Sequence, residues 1–276
     1  MFKNIVVLCL TIISAKAARP HDEPWSRRWF PHNPNEADPN PVVTVGDNKN
    51  LYDPHHGIAM GVVDKSCDDG KTNLQMDWYM NVENYTCYDD KTTYLPQATI
   101  HPIHSVEHIP TSYSAPHKCL NESIDYNEVI PTFGSHRPLW AKYGEYTFLP
   151  RQRWLHNLEH GAVAMLYHPC ANRNEVNIVK KIIKSCLYRH VITPYNLLTP
   201  NRPIALVTWG HRLELSKTAP EVVVDFIRKH ALKGHEKTPR DGQYGFMLEE
   251  HASIVSNIDD ETLCPKHNEN GIEMKK

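Results

Sequence analysis

The amino-acid sequence predicts an α+β protein in which helices pack on a mixed β-sheet, preceded by a loop-rich, disulfide-bonded N-terminal half. From Trp154 onward, apolar runs of strand length alternate with segments of helical periodicity. Between Leu51 and Pro150 the periodicity is weak, and prolines and cysteines are frequent. Disulfides are therefore expected to replace regular structure in that half of the chain.

Three strands are predicted in the second half of the chain. Gly161–Tyr167 ("GAVAMLY") and Pro203–Gly210 ("PIALVTWG") are short apolar runs that fit buried strands. His190–Tyr195 ("HVITPY") is rich in β-branched residues, which favour a sheet.

Two helices are predicted between and after these strands. Asn174–Leu187 repeats apolar residues at helical spacing, which predicts an amphipathic helix. Thr218–Leu232 has the same periodicity and begins with Thr218-x-x-Glu221, the pattern of a capping box. The resulting order of strand, helix, strand, strand and helix indicates a mixed sheet covered by helices.

The sequence divides into four parts. Residues 1–17 have a positive start, an apolar run and a small-x-small end, which predict a secretory signal peptide. Residues 18–50 form a flexible arm rich in proline and asparagine, residues 51–265 a single α+β domain, and residues 266–276 a polar tail. No later segment is apolar enough to span a membrane, so the sequence predicts a secreted protein without a transmembrane segment after cleavage.

The cysteines and two glycosylation sequons fit an oxidising compartment. Six cysteines remain outside the signal peptide, which predicts three disulfides, although many pairings are open. We expect Cys170 to pair with Cys186, because the two bracket the first helix. No C-x-x-C pair supports the alternative of a thiolate metal site. Asn84 and Asn121 are the candidate glycosylation sites. The six cysteines are Cys67, Cys87, Cys119, Cys170, Cys186 and Cys264.

Composition and motifs argue against nucleic acid and nucleotide cofactors as partners. The net charge is -2 with histidines neutral, and there is no basic patch of the kind that binds nucleic acid. No glycine-rich phosphate loop and no G-x-S-x-G nucleophile motif occur. An unidentified protein or small-molecule ligand is therefore the expected partner.

The segment His156-Asn157-Leu158-Glu159-His160 matches the metallopeptidase pattern H-x-x-E-H. Two histidines four residues apart on one helix face can bind the same ion, and Glu159 could act as the catalytic base. Gly161 follows at once, however, which leaves about one helical turn for the motif. The motif also needs a third ligand, for which His136 is the best candidate and Glu236 and His168 are alternatives. A looser hypothesis joins His136, His156 and His160 in a zinc or copper site.

A purely structural role for this segment is the competing hypothesis. Asn157, Glu159 and the histidines would then tie a buried corner together by hydrogen bonds, closed to solvent. A second histidine-rich stretch, "HPIHSVEHIP", contains His101, His104, Glu107 and His108. Its prolines predict an extended loop, and it is a second candidate for metal binding, at the surface.

The stretch from Tyr126 to about Ala231 resembles the tumour protein 53-inducible protein 13 family. The resemblance depends on three blocks: "YNEVIPTFGSHRPLWAKYG", "RWLHNLEHGAVAMLYHPC" and "PIALVTWGHRLEL". It implies an extracellular domain of unknown function that is shared with bacterial exported proteins and is linked, in animals, to restraint of cell growth. It also implies membrane anchorage, which this chain departs from because it lacks a transmembrane segment.

The sequence as a whole thus predicts a secreted, disulfide-bonded binding or regulatory domain with a metal site in its histidine cluster. The alternative is a metal-dependent extracellular hydrolase that uses the H-x-x-E-H segment, with Glu159 as its catalytic residue.

Overall fold

A seven-stranded mixed β-sheet organises the part of the chain that the computed structural model describes, residues 51–265. The predicted signal peptide, arm and polar tail lie outside the described residues. The strands are β1 (Tyr52–Asp53), β2 (Gly57–Ile58), β3 (Ile103–Val106), β4 (Gly144–Tyr146), β5 (Val163–Tyr167), β6 (His190–Pro194), β7 (Ile204–Thr208), β8 (His211–Leu215) and β9 (Leu248–His251). The helices are α1 (Gln75–Trp78), α2 (Arg151–Glu159), α3 (Arg173–Cys186) and α4 (Pro220–His230), with 3-10 turns at Val82–Asn84 and Lys91–Tyr94.

The strand order in the main sheet is β3-β8-β7-β5-β6-β4-β9, and β1 and β2 form a separate two-stranded pair. Strand β6 runs parallel to both of its neighbours, β5 and β4. The other pairings in the main sheet are antiparallel. Strands β5 and β6 are joined through α3, as a parallel pair requires a crossover. The α+β class predicted from the sequence is confirmed.

The central strands are buried on both faces, which explains their nearly continuous apolar sequences. Val163 and Met165 of β5 face the core shared with α3 and α4. Ala164 and Leu166 face the opposite core, which includes Trp154 and other apolar residues of α2. The sheet therefore separates α2 from α3 and α4, and the histidine motif lies on the α2 side.

The predicted helices form, although one is capped differently from the expectation. In α3, the Asn172 side chain caps the first turn by accepting from the backbone N–H groups of Asn174 and Glu175. The capping box predicted for α4 is wrong: its N-cap is Ala219, with no side-chain cap bond. Thr218 instead donates its backbone N–H to the Glu175 carboxylate at 2.7 Å, which docks the start of α4 on α3.

Strands β8 and β3 are among the strands that the sequence analysis did not predict. Strand β8 follows β7 after a two-residue turn, and its half-exposed polar residues hide the strand pattern. The stretch expected to be an extended loop around His104 contains strand β3, which pairs with β8 at the edge of the sheet. Edge strands need no continuous apolar run, because one of their sides faces solvent.

Three disulfides are present among the described residues, as expected, but the proposed Cys170–Cys186 pair is wrong. The bonds join Cys67 to Cys119, Cys87 to Cys170, and Cys186 to Cys264. Helix α3 has 14 residues, and at about 1.5 Å per residue it holds its two ends about 21 Å apart. A disulfide needs Cα atoms within about 7 Å, so the helix itself excludes that pair.

No helix in the described part of the chain is both long and apolar enough to cross a membrane.

Candidate metal centre

Helix α2 carries the H-x-x-E-H segment at its C-terminal end. The helix begins after Pro150 and runs for nine residues, so the motif has more helix before it than the single turn expected from Gly161. Gly161 ends the helix with φ +88°, and a Cβ atom there would come within 2.9 Å of Leu232 Cα. His156 and Glu159 lie in the last turn, and His160 is the C-cap.

Loop segments from the N-terminal half supply the other side of the centre. His117 and His136 face each other in a parallel bridge between two extended segments. The backbone N–H of His117 donates to His56 O at 2.9 Å, which adds a third segment to the stack. The Cys67–Cys119 disulfide lies two residues beyond His117 and anchors its loop.

Buried arginines and Asn157 hold these segments against α2. Arg153, fully buried, forms an ion pair with Asp68 and donates to Leu139 O. Arg137 pairs with Asp77. Asn157 bonds both backbone groups of Ala141, accepting from its N–H at 3.0 Å and donating to its carbonyl at 2.7 Å. These two bonds of Asn157 form part of the hydrogen-bonded corner expected under the structural hypothesis, whereas the Glu159 side chain makes no hydrogen bond within the described residues.

Four buried histidines share one orientation around this corner. In each, Nδ1 lies within hydrogen-bond distance of a backbone carbonyl. A carbonyl oxygen only accepts, so Nδ1 carries the proton and Nε2 is left as a lone pair. The pairs are His117 with Ile58 (2.6 Å), His136 with Gly134 (2.9 Å), His156 with Arg137 (2.6 Å) and His160 with Glu236 (2.6 Å).

The Nε2 atoms of these four imidazoles are buried and have no hydrogen-bond partner within residues 51–265. His117, His136, His156 and Glu159 each offer a ligand atom within 4.8 Å of the other three. All four residues are buried, and the side chains of His136 and Glu159 are 0% exposed. A metal-binding histidine normally donates its other nitrogen to a carbonyl or carboxylate, which is the arrangement seen at these rings.

The contact between His136 and Glu159 brings two buried polar atoms together without a hydrogen bond between them. Nε2 of His136 lies 3.1 Å from Glu159 Oε2, but the pair does not form a hydrogen bond. Burial lowers the pKa of His136 to about 3, so the ring is neutral at pH 7. Its lone pair then faces a carboxyl oxygen directly, an arrangement that only a proton or a metal ion between the two atoms stabilises.

The same electrostatic environment acts on the other groups. Burial lowers the pKa values of His117 and His160 to about 3, and that of His156 well below its ordinary value, with the neighbouring rings adding to the effect. Burial raises the pKa of Glu159 to about 7. The centre therefore presents neutral imidazoles and one carboxyl group, which is a ligand set for a transition metal.

The structure brings together most of the residues that the sequence singled out. His136, His156 and Glu159 converge as ligand candidates, whereas His160 lies beside them, with its ring centroid 4.7 Å from that of His156. Trp140 packs edge-on against the His160 ring. His117 escaped sequence analysis, since "APHKC" has no partner at a helical spacing, although its two-residue distance from Cys119 marks a loop that is fixed covalently.

The remaining predicted sites lie elsewhere. His104 meets His211 and His230, not His108, in a second group at the surface. His168 stacks on Tyr94 and groups with Asp89 and Cys170, not with the buried histidines.

The two sequon asparagines differ in exposure. Asn121 is exposed in a turn, whereas Asn84 is half-buried and directs its amide toward Trp78 O at 3.4 Å. Glycosylation at both positions stays a prediction.

Comparison with known proteins gives a family of unknown function. A search of curated proteins and a search of solved structures each found no match. Residues 117–243 match the family described as "Protein of unknown function (DUF3105)". The matched region begins at His117 and includes His136, His156 and Glu159. All four converging residues lie within the matched region.

Proposed function

We propose that this protein binds a transition-metal ion through His117, His136, His156 and Glu159. One observation carries the proposal: three buried Nε2 atoms without hydrogen-bond partners converge on a buried carboxyl group. A backbone carbonyl orients each of the three imidazoles. A single buried Nε2 without a partner would not be sufficient evidence for a metal site. His190 has such an atom too, and it belongs to no group of ligand atoms among the described residues.

Zinc and copper fit this ligand set best. Both accept imidazole nitrogen together with carboxylate oxygen, whereas magnesium and calcium select oxygen ligands. In a tetrahedral zinc site with bonds of about 2.0–2.1 Å, neighbouring ligand atoms lie about 3.3 Å apart. The 3.1 Å between His136 Nε2 and Glu159 Oε2 is close to that spacing.

The geometry favours a binding role over hydrolysis by the H-x-x-E-H mechanism. In that mechanism both histidines bind the metal and the glutamate acts on bound water. Here Glu159 points into the ligand group itself, and His160 lies outside it. Four ligand groups without solvent exposure resemble a closed structural site more than a catalytic site, which keeps one position open.

Metal analysis of the purified protein tests the proposal. We expect at least one equivalent of zinc or copper per chain to survive gel filtration, and the retained metal to fall by one equivalent in His136→Gln and His156→Gln variants. A His104→Gln background removes the exposed surface histidine group from the measurement. His190→Gln is the matched control, because His190 is equally buried, donates Nδ1 to Leu187 O and leaves Nε2 without a partner.

Two outcomes would contradict the proposal. One is a folded protein that retains no metal after exposure to zinc and copper, in which case a proton shared by Glu159 and His136 accounts for their contact. The other is equal metal retention in the His136→Gln, His156→Gln and His190→Gln variants, which would place the ion elsewhere.

We also propose that the protein is secreted and glycosylated and acts as a binding or regulatory domain. The three disulfides, together with the signal-peptide and sequon patterns, support secretion. The resemblance to the tumour protein 53-inducible protein 13 family supports a link to growth restraint. Expression in animal cells should release a protein into the medium whose mobility changes on removal of N-glycans and in an Asn121→Gln variant. Retention of the unglycosylated chain inside the cell would contradict this localisation.

A further inference from the structure

A second group of ligand atoms adjoins the buried centre and shares one residue with it. His56, Glu159 and Glu236 each offer a ligand atom within 4.8 Å of the other two. Glu159 belongs to both groups, and neither of its carboxyl oxygens has a hydrogen-bond partner within the described residues. A carboxylate with two free oxygens between two sets of ligands has the geometry of a bridge between two ions.

His56 presents its two ring nitrogens in the same way as the four buried histidines around the end of α2. Its Nδ1 lies 3.2 Å from Asp53 Oδ1, and its Nε2 lies 3.1 Å from Glu236 Oε1. A carboxylate behind one ring nitrogen and a ligand position at the other is the arrangement typical of metal-binding histidines. Two backbone N–H groups, those of His55 and His56, also donate to Asp53 Oδ1 at 2.8 Å and hold this carboxylate in place.

The backbone that carries Glu236 is fixed to the end of α2. Glu236 N–H donates to Glu159 O at 3.0 Å, and Leu232 N–H donates to Gly161 O at 2.8 Å. Gly234 lies so close to the Glu159 carbonyl that any Cβ atom there would overlap it. The two glutamates are therefore held together by the fold, although burial and the charge of Glu159 both raise the pKa of Glu236 and so oppose their joint ionisation.

The second group is nearer the solvent than the first. The side chain of Glu236 is 26% exposed and that of His56 is 6% exposed, whereas that of Glu159 is completely buried. An ion held by one histidine and two carboxylates would keep coordination positions for water, and these positions would face the exposed side.

We propose that His56, Glu159 and Glu236 hold a second divalent metal ion, with Glu159 bridging it to the ion of the buried centre. This inference rests on the proposed function, because Glu159 is shared. It makes the site a carboxylate-bridged two-metal centre, in which the inner ion is enclosed by protein and the outer ion is open to water. Two-metal centres of this type bind and activate water or an oxyanion between their ions.

Zinc stoichiometry distinguishes the two proposals. The metal-free protein in the His104→Gln background is loaded with excess zinc, freed of unbound metal by gel filtration and analysed by mass spectrometry. We expect two zinc ions per chain. One ion would overturn the second site and leave the proposed function intact, and no ion would overturn both.

Variants assign the ions to their groups. His56→Gln and Glu236→Gln should each reduce the stoichiometry from two to one, and His156→Gln should remove the inner ion. His190→Gln should retain two. Two ions in both His56→Gln and Glu236→Gln would overturn the assignment of the outer ion. The stoichiometry of the parent protein decides between one ion and two even if a variant fails to fold.

Discussion

Replacing Asn157 with aspartate should destabilise the corner that carries the proposed metal centre. Asn157 is completely buried and makes two hydrogen bonds to Ala141, one as acceptor and one as donor. Aspartate has nearly the same shape but no N–H group. Asn157 Nδ2 now donates to Ala141 O at 2.7 Å. In the variant a carboxyl oxygen would replace Nδ2, so two acceptor atoms would face each other at that distance.

The expected loss in the free energy of unfolding is about 3–5 kcal/mol at pH 8. The lost hydrogen bond accounts for about 1 kcal/mol, and the carbonyl left without a donor costs about 1–3 kcal/mol more. A buried charge without a cationic partner adds to this, and the protein limits the cost by raising the pKa of the new carboxyl group.

The sign of the pH dependence follows from that raised pKa. A carboxyl group whose pKa is higher in the folded than in the unfolded state favours folding most at low pH, and this contribution is lost as pH rises through the folded-state value. Once protonated, the aspartic acid can donate to Ala141 O again. The difference in stability between Asn157→Asp and the parent protein should therefore be smaller at pH 5 than at pH 8.

Urea unfolding followed by circular dichroism measures this difference, with Asn177→Asp as control. Asn177 is exposed on α3, so the same chemical change there should alter the free energy of unfolding by less than about 0.5 kcal/mol. A loss below about 1 kcal/mol in Asn157→Asp, or a loss independent of pH, would refute the role given to the two hydrogen bonds.

Other perturbations test the fold and the charges of the centre. Replacing Cys186 and Cys264 with serine opens a loop of 78 residues. By the chain-entropy relation, this should lower the free energy of unfolding by about 4–5 kcal/mol, which chemical denaturation measures. An unchanged denaturation midpoint would argue against the pairing. Gly161→Ala should reduce the melting temperature and soluble yield, because its φ of +88° and the closeness of Leu232 both exclude a side chain, and a stability equal to that of the parent would contradict this. In the metal-free protein, burial raises the pKa of Glu159 from 4.5 to about 7, so its protonated form favours the folded state. This contribution to the free energy of unfolding is complete below pH 4.5 and is lost as pH rises through about 7. Glu159→Gln should thus gain about 3 kcal/mol relative to the parent between pH 4.5 and pH 8, and parallel stability curves for the two proteins would show that Glu159 ionises normally.

How much of the proposed metal centre could be predicted depends on how far apart its residues lie along the chain. His156 and Glu159 were found because both lie in the last turn of one helix, and helical spacing is visible in the sequence. His136 was found through the turn in which it lies. His117 and His56 come from extended loops, whose register against α2 is set by nonlocal backbone bonds. No periodicity in the sequence reports such contacts.

The disulfides show the same limit. The cysteine count was enough to predict three bonds, because an oxidising compartment and an even number of thiols leave few alternatives. Pairing was not predictable, since Cys170 meets Cys87 only after the loop-rich half has folded back onto the sheet. Sequence proximity suggested Cys186 instead, and the length of the intervening helix excludes it.

The fold class, the two long helices and the central strands could be predicted from the amino-acid sequence alone. These depend on apolar periodicity, which records how each segment divides its surface between core and solvent. The folded structure was needed to show that His117 joins His136, His156 and Glu159, and that Glu159 belongs to two groups of ligand atoms. It was also needed to show that Nε2 rather than Nδ1 lacks a partner at each ring of the buried centre. The physical reason is that these features depend on hydrogen bonds between segments far apart in sequence, which orient each imidazole only once the loops have packed against α2.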